Sequence, residues 1–402
     1  MSQSLFAGVE LAPRDPILGL TEAFNADTRP TKVNLGVGVY YDDQGRIPLL
    51  GAVREAEKAR LEGAPARGYL PIEGMAAYNA AVQQLLFGKE SPLMAAGRVA
   101  TFEALGGTGG LKVGADFLKR LQPGATVWIS DPSWENHRAL FEAAGFPVKA
   151  YPYYDPATHG VNFDALLACL QGLPANDIVV LHACCHNPTG VDLDDAQWAR
   201  IVEVVRARGL IAFLDCAYQG FGDGIDADAA ALRRFADSGV SFFVSSSFSK
   251  SFSLYGERVG ALSLVTADRD ETARVVSQVK RVIRTNYSNP PTHGASIVAA
   301  VLATPALRAL WETELAGMRE RIRAMRTSLV DKLKARGVAR DFSFVTRQRG
   351  MFSYSGLSSA QVDRLREDFG IYAVSTGRIC LAALNSRNID AVTDAIAAVL
   401  KD

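Results

Sequence analysis

Four short, apolar, β-rich runs in the middle of the chain constrain its fold most strongly. They are Thr126–Ser130, Ile178–Cys185, Leu210–Leu214 and Val240–Ser245. Stretches with apolar residues at helical spacing separate them, and the clearest of these is Asp194–Arg208. Buried strands that alternate with helices form parallel sheets that helices cover on both faces. The sequence therefore predicts an α/β protein with a mostly parallel central sheet flanked by helices.

A long helical pattern near the C-terminus indicates a second domain. It runs from Pro305 to about Arg336, and Gly337 is placed to end it. We expect this helix, near 305–336, to join a large domain of residues 46–310 to a smaller α/β domain formed by residues 1–45 and 311–402. The smaller domain would contain the segments Phe342–Tyr354 and Asn388–Leu400 and would pack with Pro13–Tyr41.

Charge and cysteine usage exclude several classes of protein. Lys+Arg and Asp+Glu both number 43, so the formal net charge is zero and no bulk field attracts nucleic acid or an anionic membrane. The five cysteines are odd in number and form no C-x-x-C motif, which favours free thiols in a reducing compartment. The first residues carry no signal-peptide pattern, and no run reaches ~18 apolar residues. The sequence predicts a cytoplasmic protein with no nucleic-acid or membrane partner.

Polar side chains follow the apolar strands at the edge where open α/β sheets bind ligands. Asp215 comes directly after Leu210–Leu214, and Tyr218 lies three residues later. The preceding strand ends in His186–Gly190, in which a proline biases Asn187 toward an extended backbone. We expect Asp215, Tyr218 and Asn187 to converge above two neighbouring strands. Asp215 could instead cap the following turn, since Asp is a common turn residue.

Lys250 lies alone among hydroxyl and aromatic residues, in the run Ser245–Phe252. Such surroundings suit a lysine whose pKa is lowered, as Schiff-base chemistry requires. The alternative is an ordinary surface lysine. Downstream, Arg258 is placed to bind a phosphate.

A glycine cluster, Gly106–Gly110, precedes the amphipathic run Leu111–Leu121. Free N–H groups at the start of a helix bind phosphate, so the cluster is a candidate phosphate site. It is not a P-loop, because no G-K-[ST] follows at the right spacing. It is not a dinucleotide fingerprint either, because Lys112 occupies the position of the third glycine.

Over essentially its whole length the chain resembles the class I, fold type I aminotransferases, which use pyridoxal 5′-phosphate. It looks most like the aspartate/aromatic branch, and closest to bacterial aromatic-amino-acid (tyrosine) aminotransferases. The resemblance implies a fold type I architecture with a large and a small domain. Its motifs are highly specific only together: Asn34–Tyr40, Arg67–Gly74, Gly106–Gly110, Asp131–His137, Cys184–Gly190, Asp215–Phe221, Ser245–Gly260, Arg284–Pro291 and Ser375–Leu384.

The resemblance implies a catalytic set of Lys250, Asp215 and Tyr218. Lys250 would hold the cofactor as a Schiff base and then move protons, and Asp215 would keep the pyridine nitrogen protonated, with His137 nearby. The implied cofactor-binding residues are Gly107, Thr108, Trp134, Asn187, Asp215, Tyr218, Ser247, Lys250, Arg258 and Tyr69.

The resemblance also implies how substrate is bound. Arg378 would clamp the α-carboxylate, and Arg284 would pair with a distal carboxylate. Tyr69 and Arg284 are expected from the partner subunit, which implies a homodimer with shared active sites. Trp134 as a core residue and Arg284 on a solvated helix face are the alternatives. The implied substrate-binding residues are Gly38, Trp134, Asn187, Arg284 and Arg378.

Side-chain preference rests on a few positions. Tyr41 and Ile47 resemble the aromatic-accepting branch, whereas Thr108 and Asn289 resemble the aspartate type. Because Arg284 is kept, we expect tyrosine, phenylalanine and aspartate to donate an amino group to 2-oxoglutarate by a ping-pong mechanism. An aspartate aminotransferase with little aromatic activity is the alternative.

Three other functions are compatible with parts of this sequence pattern. β-Decarboxylation or racemisation would use the same cofactor with Lys250 and Asp215. A regulatory binding protein on this fold would be expected to have lost Lys250 or Asp215, and a nicotinamide-dependent dehydrogenase would need the missing glycine fingerprint. No metal is expected, since no ligand cluster accompanies His182 or His186 in the sequence.

Overall fold

The computed structural model describes residues 4–12 and 17–401. Its helices are α1 (Leu18–Ala26), α2 (Gly51–Gly63), α3 (Ala76–Phe87), α4 (Pro92–Ala95), α5 (Gly106–Leu121), α6 (Glu135–Ala143), α7 (Phe163–Gly172), α8 (Asp195–Arg208), α9 (Ala230–Asp237), α10 (Arg269–Asn286), α11 (His293–Ala303), α12 (Pro305–Ala335), α13 (Phe344–Arg347), α14 (Ser359–Phe369) and α15 (Ile389–Val399). Its strands are β1 (Val33–Asn34), β2 (Val99–Leu105), β3 (Val127–Asp131), β4 (Val148–Pro152), β5 (Tyr154–Asp155), β6 (Gly160–Val161), β7 (Ile178–His182), β8 (Ile211–Cys216), β9 (Phe242–Ser247), β10 (Val259–Val265), β11 (Phe352–Tyr354), β12 (Ile371–Tyr372) and β13 (Arg378–Cys380).

A seven-stranded sheet forms the centre of the molecule, in the order β2-β10-β9-β8-β7-β3-β4. Strands β9, β8, β7, β3 and β4 run parallel, and β10 is antiparallel to both of its neighbours. The four predicted strands are confirmed as β3, β7, β8 and β9, with ends shifted by a few residues. The predicted mostly parallel α/β sheet is therefore confirmed.

Apolar clusters cover both faces of this sheet, as β8 illustrates. Ala212 and Leu214 point into one cluster, and Phe213 between them points into the other. Because a strand alternates its side chains, burial on both faces requires a run of apolar residues without polar interruption. This explains why β8 reads as a continuous apolar run until it reaches Asp215.

Helix α5 differs from its prediction. The expected helix began at Leu111, after a glycine loop, but the glycines themselves form its first turns from Gly106. They let the helix lie close to the sheet: a Cβ on Gly110 would lie 2.7 Å from Ser245 Oγ, and one on Gly114 would lie 2.5 Å from Phe213 Cζ. Helix propensity, which disfavours glycine, is overridden here by packing.

Two other predicted helices are confirmed within a residue or two. Asp194 caps α8 through a capping box with Gln197. Helix α12 spans 31 residues, and Gly337 follows its end at φ +73°, in the left-handed region that favours glycine.

The chain ends meet beside this long helix. β1 pairs in parallel with β12, β11 pairs with β13, and α12 packs against α15. The segment Pro13–Tyr41 lies partly outside the described residues, because 13–16 are not among them. The domain division at residues 45 and 310 stays a prediction.

No single helix in the described ranges is long and apolar enough to cross a membrane. Helices α11 and α12, bent by 101° at their junction, meet that requirement only when taken as a pair, by length and composition.

Candidate active site

A cavity of about 260 Å³ opens where β7, β8 and β9 end and α5 begins. Its position is the usual ligand site of an open α/β sheet. It brings together eleven of the thirteen predicted site residues: Gly38, Gly107, Thr108, Trp134, Asn187, Asp215, Tyr218, Ser247, Lys250, Arg258 and Arg378.

Asp215 is the buried acid of this cavity. Its Oδ2 lies 2.8 Å from His137 Nε2, and His137 Nδ1 lies 3.0 Å from Ser133 Oγ. Burial alone would raise the pKa of Asp215, but the hydrogen bond and charge of His137, with His182 and Lys250, hold that pKa below its usual value. The Asp215 carboxylate is therefore kept ionised at the end of β8.

Lys250 lies just beyond β9, with its Nζ 4.7 Å from the centre of the Tyr218 ring. Loss of hydration lowers the pKa of Lys250 to about 8, an effect that Arg258 adds to and Asp215 opposes. A lysine with this pKa is partly neutral near neutral pH, so its nitrogen can act as a nucleophile. Burial raises the pKa of Tyr218, which stays a neutral hydroxyl.

The N-terminus of α5 forms a cradle for an anion. Gly107 lies so close to Ser247 that a Cβ on it would be 3.2 Å from the serine Cβ, and a Cβ on Gly106 would be 2.5 Å from Arg258 Nη2. One nitrogen of Arg258, Nη1, donates a hydrogen bond to the carbonyl of Tyr255 at 3.0 Å. A helix start, a hydroxyl and a guanidinium thus surround one point, which is the composition of a phosphate site.

Arg378 lies on the wall of the cavity and is 1% exposed. It donates to Asn187 Oδ1 at 3.1 Å and to the Gly36 carbonyl at 2.5 Å, and its guanidinium carbon stands 4.4 Å from the Phe352 ring centre. Its Nε has no partner among the described residues. A buried cation without a carboxylate partner is prepared to bind one.

Gly38 and Trp134 complete the walls. A Cβ on Gly38 would lie 2.6 Å from Phe352 Cζ, so a larger residue would force the two apart. Trp134 precedes α6, is half-buried and meets His137 edge-to-face at 5.3 Å between ring centres. Trp134 thus lines the cavity and also packs against an apolar core cluster.

Tyr69 and Arg284 do not reach this cavity. Tyr69 is 96% exposed, and Arg284 is exposed and donates to Ser288 Oγ. Both line a separate, open cavity of about 940 Å³, together with Asn289. On a single chain the two residues stand apart from the other eleven.

Comparison with known proteins decides the family. The model of the family "Aminotransferase class I and II" matches residues 30–396. The chain belongs to this family. It is 71% identical over 397 residues to an aspartate aminotransferase of Pseudomonas aeruginosa, with 99% of this chain and 100% of the relative covered. It is 54% identical to the aromatic-amino-acid aminotransferase of Escherichia coli K12, with 98% and 100% covered.

A solved structure supports the same assignment. The aromatic-amino-acid aminotransferase of Burkholderia pseudomallei, covalently bound to pyridoxal phosphate, superposes with a TM-score of 0.97. It is 73% identical, and the match covers 99% of this chain and 100% of that one. The predicted fold type I aminotransferase architecture and the predicted dependence of the family on pyridoxal phosphate are confirmed.

Sequence reasoning missed several residues that line the aminotransferase cavity. His182, for which the absence of a metal was predicted, lies in the wall with its ring 5.0 Å from that of His137, and neither of its nitrogens has a hydrogen-bond partner among the described residues. Phe352 packs on Arg378 but was predicted only as part of the small-domain segment Phe342–Tyr354. His182 ends β7, so its place beside Asp215 could have been inferred; Phe352 comes from a distant segment and gave no local signal.

Two further predictions concern an apolar wall beside the substrate and the absence of a metal. Tyr41 and Ile47 do not line the described cavity, and Ile47 is 49% exposed, so an apolar wall from these two is not built within one chain. His137, His182 and Asp215 have ligand atoms within 4.8 Å of one another, which the sequence did not reveal. The expectation that no metal binds stays a prediction.

Proposed function

We propose that this aminotransferase carries pyridoxal phosphate on Lys250 and transfers the amino group of an amino acid to a 2-oxo acid. One observation carries the proposal. A lysine of lowered pKa, a buried carboxylate and an anion cradle face the same cavity. These are the three things that a phosphorylated pyridine aldehyde requires of its binding site.

The residues of the cavity fit this cofactor. The start of α5 with Gly107, Thr108, Ser247 and Arg258 would hold its phosphate, and Lys250 would bind its aldehyde carbon. Asp215, ionised and supported by His137, would face the ring nitrogen. Tyr218 and Asn187 are the neutral donors for the phenolic oxygen, and Trp134 would cover the ring.

When bound, the cofactor supplies an electron sink that stabilises negative charge on the substrate Cα. The Lys250 nitrogen lines the same cavity and, when free, would be the group that takes the proton from the substrate Cα and gives it back. A pKa near 8 suits a group that must both take and give a proton near neutral pH. Asp215, whose carboxyl is ionised, would keep a proton on the ring nitrogen of the cofactor.

Arg378 binds the substrate α-carboxylate. Its planar guanidinium already faces the cavity beside Asn187, and its Nε is available. A two-pronged pairing fixes the orientation of the Cα–H bond as well as the affinity. Gly38 leaves room for the substrate backbone against Phe352.

A homodimer completes the site. Tyr69 and Arg284 share an open cavity outside their own chain's site, which is the arrangement expected if each serves the other subunit. In the dimer Tyr69 would reach the cofactor phosphate and Arg284 would pair with a distal carboxylate of substrate. Within each subunit, residues 46–310 would form the large domain, and 1–45 with 311–402 the small one.

We further propose that aromatic amino acids and aspartate both donate to 2-oxoglutarate in two half-reactions. Similar relatives bear both names, aspartate and aromatic-amino-acid aminotransferase, at 71% and 73% identity. The alternative, an aspartate aminotransferase with little aromatic activity, is favoured by the name of the Pseudomonas aeruginosa relative.

The free state of all five cysteines supports a cytoplasmic location.

Product analysis tests the reaction. The purified enzyme with 2-oxoglutarate should form glutamate and the matching 2-oxo acid from phenylalanine, tyrosine and aspartate. A preference for aspartate over phenylalanine of about a thousandfold in kcat/KM, or about 4 kcal/mol, would leave only the alternative. Alanine from aspartate, or a D-amino acid, without glutamate would show decarboxylation or racemisation instead.

A further inference from the structure

A cavity rich in arginine lies away from the catalytic one, between α12, the loop that follows Tyr218 and the segment around α13. Its volume is about 590 Å³, and among the described residues it shares no wall residue with the catalytic cavity. The charged side chains that line it are Arg319, Arg323, Arg326, Arg347, Arg349 and Asp223. Five guanidinium groups therefore face one carboxylate.

Asp223 cannot neutralise this set. It accepts hydrogen bonds from Arg323 at 2.8 Å and from Arg349 at 2.6 Å, which uses both of its oxygens. Glu320, which is not in the wall, also pairs with Arg323, at 3.0 Å, and approaches Arg319 at 3.6 Å. Asp192 and Asp228 also lie near this set, so four carboxylates in all lie near the five guanidinium groups, and the positive charge still exceeds the negative charge.

Arg326 adds a buried charge to this cavity. It is 2% exposed and donates to the carbonyls of Val345, Gly350 and Phe352 at 2.6–3.0 Å, with no carboxylate among its hydrogen-bond partners in the described chain. Burial lowers its pKa to about 10, so it is still a cation at neutral pH. A neutral carbonyl satisfies its N–H groups but does not cancel its field.

Two buried donors of this cavity are unused. Gln348 is 4% exposed, and its oxygen accepts from Ser353, but its Nε2 has no partner among the described residues. The Nε of Arg319 is buried and has no hydrogen-bond partner in that part of the chain, since the Glu320 carboxylate oxygen lies 3.6 Å from it. A buried donor without an acceptor is destabilising, so such a group marks a place where an acceptor can bind.

We propose that this cavity binds a small anion that carries two or more phosphate or carboxylate groups. Its oxygens would accept from Gln348, Arg319 and the exposed Arg347, whose one hydrogen bond in the described structure, to Ser343, is long at 3.5 Å. Several charge-assisted bonds to one anion give the affinity that a single surface arginine does not.

An anion there would tie together two segments that reach the catalytic cavity. Gly222 and Asp223 follow Tyr218 on one side, and Gln348–Gly350 lead into Phe352 on the other. The Arg349 amide also donates to the Gly190 carbonyl at 2.7 Å, at the end of the segment that carries Asn187. Occupancy should therefore slow hydrogen exchange in 219–223 and 346–350.

Calorimetric titration of the holoenzyme with pyrophosphate, and separately with citrate, tests the proposal. The bound cofactor occupies the phosphate cradle and excludes the probes from it, and the Arg378→Lys variant detects any binding at the substrate position of the same cavity. We expect saturable binding of at least one probe. Arg319→Gln and Arg347→Gln, each made singly, should each raise its Kd about tenfold. The matched control is Arg364→Gln, an exposed arginine of α14 beside Asp368, which should bind as the unmodified enzyme does.

Three results would overturn the proposal. The first is no saturable binding of either probe up to about 10 mM. The second is binding that Arg319→Gln and Arg347→Gln leave unchanged although both variants are folded by circular dichroism. The third is binding that Arg258→Gln or Arg378→Lys abolishes while Arg347→Gln does not, because that would place the anion in the catalytic cavity.

Discussion

The two cavities that hold the predicted site residues are built in opposite ways. The catalytic cavity is small, and its acid and its carboxylate-binding arginine, Asp215 and Arg378, are almost fully buried and held by hydrogen bonds. The cavity with Tyr69 and Arg284 is open, more than three times larger, and its named residues are exposed. Under the proposed function, one chain prepares the cofactor chemistry, whereas recognition of a distal carboxylate would need a second copy.

This difference follows from what each task requires. A lysine with a lowered pKa and an ionised buried acid need low dielectric surroundings, which only the edge of the packed sheet provides. An arginine that must pair with the distal carboxylate of aspartate, but move away when an aromatic substrate binds, needs freedom to move. An exposed helix end provides that freedom. The comparison predicts that damage to the first cavity is general, and that damage to the second is selective and can be repaired in trans.

The largest effect should come from Lys250→Ala. Loss of the covalent anchor and of the proton-transferring nitrogen should lower kcat for every substrate by about 10⁴-fold or more. Steady-state assays with aspartate and phenylalanine measure it. Lys119→Ala, at the far end of α5, is the control and should keep full activity. A Lys250→Ala enzyme with more than a tenth of the activity would contradict the assignment.

Arg378→Ala should be the next most severe change. The buried two-pronged pair with the α-carboxylate is lost, and we expect kcat/KM to fall by about 10³-fold, or about 4 kcal/mol, for all amino acids alike. Arg378→Lys keeps the charge but loses the fork and should recover only part of this. Equal activity of the lysine variant and the unmodified enzyme would mean that charge alone is needed.

Arg284→Ala tests the second cavity. We expect kcat/KM for aspartate to fall about 10²-fold, with a much smaller loss for phenylalanine, because only aspartate brings a distal carboxylate. A loss that is equal for both substrates would contradict the selective role.

Subunit mixing tests most directly whether Arg284 serves the site of the other subunit. If Arg284 serves the other subunit, a hybrid of a Lys250→Ala chain and an Arg284→Ala chain contains one intact site. Random reassortment of equal amounts should restore about a quarter of the aspartate activity. Separate homodimers, mixed without exchange, are the control. No recovery after proven exchange would place Arg284 in the site of its own chain.

The smallest effect concerns Glu103, beside the second cavity. Glu103 accepts from the Met75 amide at 3.2 Å, and its carbonyl accepts from Tyr287 at 3.3 Å, a residue of that cavity. Burial raises its pKa from 4.5 to about 7. A raised pKa means that the folded state keeps a proton that the unfolded state has released. Stability should therefore fall as pH rises from about 4.5 to about 7, by about 1–3 kcal/mol.

Glu103→Gln removes this titration. Denaturant unfolding between pH 5 and about 8 should give a free energy of unfolding that varies less with pH than in the unmodified protein. Asp237→Asn, an exposed acid at the end of α9, is the control. The same pH dependence with and without Glu103 would show that its carboxyl is ionised throughout.

Much of the fold was predictable because its signals are local. The apolar runs of β3, β7, β8 and β9, and the cap and terminator of α8 and α12, all lie within a few residues of the structure they produce. The antiparallel β10 was not predicted, because pairing direction depends on strands far apart in sequence. The glycine start of α5 was misjudged because its reason is contact with Ser245 and Phe213.

The same distinction between local and long-range signals applies to the site residues. Lys250, Asp215, Tyr218 and Asn187 follow strands, and the parallel sheet brings strand ends together, so their meeting could be inferred. Phe352 is more than a hundred residues from Asp215 in sequence, and the arginine-rich cavity joins residues 221–223 to residues 319–350, so no local pattern records either. The motifs that resembled a family supplied Arg284 and Tyr69, but only geometry separated them from the rest.

Borohydride reduction of the purified enzyme, followed by peptide mass spectrometry, tests the central claim most directly. Reduction fixes the cofactor to the amine that holds it. The account predicts one modified peptide, with the reduced pyridoxal phosphate mass on Lys250, and its absence after preincubation with an amino-acid donor. Modification of another lysine, or no modification in protein saturated with pyridoxal phosphate, would contradict the assignment of this cavity as the catalytic centre.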